Sequence, residues 1–78
     1  MKWRWTDHIL LQLEERNISR QLIEDALKNP DSKISGTGNR MVYQKLVSGK
    51  LLRIVAEGDL LITAYITDKI SKYLKEVK

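Results

Sequence analysis

The 78-residue sequence contains no cysteine and no phenylalanine, and only one proline and one histidine. The lack of cysteine excludes a disulfide framework and a thiolate metal site, and His8 alone cannot supply the histidine pair of a metal centre. Any catalysis is therefore expected to need no metal. No cofactor is expected either, because no nucleotide or metal fingerprint is present. No apolar run is long enough to cross a bilayer and no leader pattern opens the chain, so the expectation is a cytoplasmic protein without membrane association. With phenylalanine missing, large aromatics must come from Trp3, Trp5 and the tyrosines, and Trp5 at least reads as structural. The alternation of Trp3 and Trp5 with Lys2 and Arg4 leaves stacking on nucleic-acid bases open.

What is present narrows the field. Hydrophobic residues make up 42% of the chain, a globular composition. The length allows one domain, 1–78, near the lower limit at which a single core offsets the entropy of ordering the backbone. A net charge of +4 favours an anionic partner, RNA, DNA or an acidic protein, although many solvated surfaces are equally basic.

Thr6 is a good N-cap for a helix running to about Arg16, with Trp5 and Leu10 at the spacing of a hydrophobic staple and Asp7 at the positive end of the helix dipole. Ile9, Leu10 and Leu13 form its buried stripe. Asn17 can take the left-handed conformation that ends a helix, and Ser19 then caps a second one from Arg20 to about Lys28. Leu22, Ile23, Ala26 and Leu27 face inward, and Asn29-Pro30 stops this helix.

From there the period changes to two. Asp31 to Ser35 reads as a short edge strand, followed by the loop Gly36-Thr37-Gly38-Asn39, which is an ordinary turn sooner than a phosphate loop. Met41 to Val47, Leu51 to Ala56 and Leu60 to Thr67 read as antiparallel strands separated by Ser48-Gly49-Lys50 and Glu57-Gly58-Asp59. Alternation puts Leu60, Ile62, Ala64 and Ile66 on one face, and Leu61, Thr63, Tyr65 and Thr67 on the other. Leu52, Ile54 and Ala56 share the apolar face, so Arg53 stands beside Thr63 or Tyr65, and Tyr43 and Lys45 are placed on the Arg53 side. Asp68 to Lys78 has helical spacing. The predicted architecture is α+β, with two helices on one face of an antiparallel meander of three or four strands, a short closing helix, and a second sheet face partly open to a partner.

Three groups of residues carry chemistry. Arg53 with Lys45, Tyr43, Thr63 and Tyr65 would offer a phosphodiester a fixed charge, with a ring to stack on a base or a hydroxyl to move a proton. The bland reading is a solvated strand arginine beside a cross-strand tyrosine. His8, in the first turn of a helix, can act as a neutral general base, or simply pack on Trp5 or Gln12. Lys69, Lys72 and Tyr73 start the last segment, where Lys69 opposes the helix dipole and would gain from a bound phosphate; the alternative is a solvated lysine face.

The run WTDHILLQLEERNIS, the segment LIEDALKNPD, the central YQK, then LLRIV and ITAYITDKISKYL resemble the bacterial and archaeal family called domain of unknown function 4258, over nearly the whole chain. That family looks like a branch of the RelE-like, barnase-related ribonuclease toxin fold. The resemblance implies a toxin-type RNA endonuclease that works without metal, paired with an antitoxin protein. By position it makes Arg53 and Tyr65 the first catalytic candidates, with His8 beside them and Lys69, Lys72 and Tyr73 around them; the strand faces add Lys45, Tyr43 and Thr63 as RNA-binding residues. Two other readings stand beside it: a non-catalytic module that binds RNA or protein through the open sheet face, and a homo-oligomer using that face or an edge strand.

Overall fold

The computed structural model describes residues 2–70. Two side-chain caps set the helical half. Helix α1 spans Asp7–Glu15, and the Thr6 hydroxyl accepts the backbone N–H of Ile9 at 3.1 Å. Helix α2 spans Arg20–Lys28, and the Ser19 hydroxyl accepts that of Leu22 at 3.1 Å. Between them Asn17 takes φ 55°. The N–H of Ile18 donates to the Leu13 carbonyl at 2.9 Å and that of Asn17 to Glu14 at 3.3 Å. These are the paired bonds of a Schellman end, and the associated apolar residues Leu13 and Ile18 are both buried in the core.

Five strands follow a different logic: β1 (Arg4–Trp5), β2 (Ser32–Ser35), β3 (Arg40–Val47), β4 (Lys50–Glu57) and β5 (Leu60–Thr67). They form one sheet in the order β1-β5-β4-β3-β2, antiparallel except for β1, which pairs parallel to β5. The sheet is therefore mixed and five-stranded, not an antiparallel meander of three or four. Two residues are too short to show a periodicity, so β1 is invisible locally; it exists because the Arg4 N–H reaches the Asp59 carbonyl at 2.8 Å and Arg4 aligns with Leu60.

Turn length decides which side chains share a face. In the β3–β4 hairpin Val47 stands opposite Lys50, leaving a two-residue loop, Ser48-Gly49, in which both residues have positive φ, as a type I′ turn requires. A three-residue loop would have put Lys45 opposite Arg53. The observed loop puts Lys45 opposite Leu52, Tyr43 opposite Ile54, and Gln44 opposite Arg53. Tyr43 and Lys45 therefore lie on the helix side, and the expectation that they join Arg53 is corrected; a shift of one residue exchanges the faces of a strand.

In the β4–β5 hairpin Glu57 faces Leu60, with Gly58 at φ 60° in the first turn position. Two pairs later the register shifts: Ala56 faces Leu61 but Val55 faces Thr63. Ile62 is thus the extra residue of a β-bulge. The bulge reverses the start of the predicted alternation, so that Leu61, at 0% exposure, enters the core in place of Leu60 and Ile62. Beyond it Ala64 remains on the core side, and Ile66 shares that side at 38% exposure.

The core lies between the two helices and this face, where Ile9, Leu13, Ile23, Ala26 and Leu27 meet Leu52, Ile54, Ala56, Leu61 and Ala64. Each large aliphatic side chain removed from water contributes roughly 1.5–3 kcal/mol. The opposite face is not open at its centre. Leu51 and Gln44 are fully buried, and Ser32 and Arg53 nearly so; the Gln44 amide donates to the Ser32 hydroxyl at 2.6 Å. The helix expected from Asp68 to Lys78 lies outside the described residues after Ile70. Among the described residues no helix is long and apolar enough to cross a membrane.

Candidate functional site

Helix α1 is fastened along strand β5 by three side chains. Thr6 Oγ1 donates to the Leu61 carbonyl at 3.2 Å, and Arg16 Nη1 donates to the Ala64 carbonyl at 2.7 Å. Between them Thr63 Oγ1 donates to Gln12 Oε1 at 2.6 Å. The Arg16 bond satisfies a carbonyl of β5 that lies beyond the residues paired with the two-residue β1. Together the three bonds hold one turn of α1 beside the polar side of β5.

Within that turn Gln12 Nε2 lies 3.0 Å from His8 Nε2, the neighbour expected four residues away on a helix face. His8 is exposed, near the helix N-terminus. Its ring is linked through one carboxamide to Thr63, and Thr63 precedes Tyr65 by two residues, the spacing that keeps both on one side of a strand.

Tyr65 is the cross-strand partner of Arg53. The guanidinium carbon stands 5.8 Å from the centroid of the Tyr65 ring, within the range of a cation–π contact. Arg53 occupies the centre of the sheet, between Gln44 on β3 and Tyr65 on β5, and is 8% exposed. It is therefore not the solvated strand arginine of the bland reading. The half-buried Tyr65 is the more accessible of the pair.

The structure thus brings together Arg53, Tyr65 and Thr63, and connects His8 to Thr63 through Gln12. It separates the rest. Tyr43 packs edge-on against Trp3, with ring centroids 5.5 Å apart and planes at 88°, and Lys33 Nζ stands 5.4 Å from its ring. Lys45 Nζ donates to the Asn29 carbonyl at 3.0 Å, at the end of α2. Lys69 is exposed and its backbone N–H donates to Thr67 Oγ1 at 3.1 Å. Lys72 and Tyr73 lie outside the described residues. Trp5 is structural, as expected: it packs on the core, and the Arg20 guanidinium carbon sits 4.5 Å over its ring.

Gln12 is the residue that sequence reasoning left out of the functional set. Its spacing from His8 was a usable signal, but its bond to Thr63 crosses 51 positions of chain and no local pattern announces it. A concavity of about 720 Å³ opens between α2 and the β2–β3 end of the sheet, lined by Trp3, Asp25, Lys28, Lys33 and Tyr43 among others. It belongs to the helix-covered side and is separate from the Arg53 face. Among the described residues no three His, Asp or Glu side chains converge as metal ligands.

These features define a small α+β protein in which a capped helical pair covers one face of a five-stranded mixed sheet. Residues 5–72 match the model of the family described as Domain of unknown function (DUF4258), and the chain belongs to that family. No curated protein and no solved structure matches the chain.

Proposed function

We propose that this protein is a RelE-like, toxin-type RNA endonuclease that acts without a metal and is held in check by an antitoxin protein in the cytoplasm. The observation that carries the reading is the Arg53–Tyr65 pair, in cation–π contact across neighbouring strands on the side where Thr63 leads through Gln12 to His8. Cleavage by this route has the ribose 2′-oxygen attack the adjacent phosphorus while the bond to the 5′-oxygen breaks. The 2′-proton leaves to a base, and the departing 5′-oxygen gains one. Arg53 would offset the extra charge on the crowded phosphate, and Tyr65 would stack on a base or exchange a proton.

Growth arrest on expression is the direct test. The wild-type chain should arrest growth and shorten cellular RNA, whereas Arg53→Lys and Tyr65→Phe should relieve the arrest while keeping the wild-type circular dichroism spectrum. A harmless wild type with intact RNA would end this reading.

The burial of Arg53 favours one alternative, a non-catalytic module that binds RNA or an acidic protein segment through more exposed basic residues. That module would give complexes that weaken steeply with salt and no cleavage product.

A further inference from the structure

The carboxamide of Gln12 is held at both ends: its oxygen accepts from Thr63 Oγ1 at 2.6 Å and its nitrogen stands 3.0 Å from His8 Nε2. An amide nitrogen donates and does not accept. His8 Nε2 must then be the acceptor, and the proton of the neutral ring resides on Nδ1.

We infer that Gln12, oriented by Thr63, is a positioning residue that holds His8 as its Nδ1–H tautomer, so that this exposed ring presents a hydrogen-bond donor to an anionic oxygen such as that of a phosphodiester. The lone pair that a general base needs is the one already taken by Gln12. His8 accordingly holds a phosphate oxygen and does not abstract the 2′-proton, which reverses the role its position in the sequence invites. The tautomer stands on geometry alone, while the phosphodiester as its ligand rests on the ribonuclease reading.

His8 is the single histidine of the 78-residue chain, so one ring supplies every imidazole signal in long-range proton–nitrogen correlation spectra of that chain. At about pH 8.5, above the ordinary imidazole range, the wild type should show Nδ1 as the protonated nitrogen and Nε2 as the bare one. Thr63→Val, which keeps the shape and removes the hydroxyl, should move both signals toward a mixture of tautomers, and so should Gln12→Leu. Thr63→Ser should restore the wild-type pattern. A wild-type ring protonated on Nε2, or signals unmoved by both Thr63→Val and Gln12→Leu, would overturn the inference. Cleavage of RNA by a wild type protonated on Nε2 would defeat this inference and leave the ribonuclease reading intact. A wild type protonated on Nδ1 that neither cuts RNA nor shifts its His8 signals on adding a short RNA would keep the tautomer and overturn the phosphodiester assignment.

Discussion

The two helix caps look alike in sequence but have different duties, and this gives a quantitative test of how α1 is held. Ser19 makes one bond, accepting the Leu22 N–H on an exposed turn. Thr6 makes two, accepting the Ile9 N–H and donating to the Leu61 carbonyl on the sheet. Losing an N-cap costs about 1 kcal/mol, within a range of roughly 0.5–2. A further partly buried hydrogen bond contributes about 1 kcal/mol net. Ser19→Ala should therefore destabilise by about 1 kcal/mol and Thr6→Ala by about 2. For a domain of this size each kcal/mol lowers Tm by about 4–8 °C, so Thr6→Ala should melt below Ser19→Ala by that interval, and Thr6→Ser should recover most of the loss. Thermal unfolding followed by circular dichroism reads both. Equal melting points for the two alanine variants would refute the claim that Thr6 ties the helix to β5.

The bulge makes Leu61 a core residue and Ile62 a half-buried one, so Leu61→Ala should cost about 2–5 kcal/mol in chemical denaturation and Ile62→Ala markedly less. The reverse order would restore the simple alternation. Lys45→Ala and Tyr43→Phe act on the helix side of the sheet, so both should leave RNA cleavage or binding within about twofold of wild type; a larger loss in a folded variant would return these residues to the Arg53 face. Lys45→Ala should cost about 1 kcal/mol or less, since it removes one exposed hydrogen bond to the Asn29 carbonyl.

The parts of the fold legible from the sequence were those set by neighbours. Thr6, Asn17, Ser19 and Asn29-Pro30 mark the helix boundaries because caps and breakers act within a few residues of themselves. The strand segments were equally clear, since alternation and turn glycines are local. Which face each strand presents was not, because it depends on one residue more or less in a turn and on a bulge. Ser48-Gly49-Lys50 contains both the two-residue and the three-residue turn, and three successive aliphatics, Leu60, Leu61 and Ile62, hide the point where parity changes. Strand β1 was unreadable because only the distant Asp59–Leu61 stretch makes Arg4–Trp5 a strand.

The candidate site follows the same division. Arg53 beside Tyr65 could be read once the middle and last strands were taken as a hairpin, whereas the burial of Arg53 could not, since strand arginines are mostly solvated. The link from His8 through Gln12 to Thr63 is half local and half tertiary. The local half was open to reading, and the tertiary half depends on α1 lying along β5.

Metal-free RNA cleavage on the Arg53–Tyr65 side of the sheet is the proposal on which the functional reading stands or falls. The most direct measurement is the cleavage rate of a single-stranded RNA by purified protein in EDTA, for wild type, Arg53→Lys and Tyr65→Phe, with folding monitored alongside. Cleavage by the wild type should be unaffected by EDTA. Folded Arg53→Lys should lose about 100-fold or more, the scale on which removing a preorganised charge-stabilising group acts. A wild type that leaves RNA whole, or a folded Arg53→Lys that cuts at the wild-type rate, would contradict the proposal.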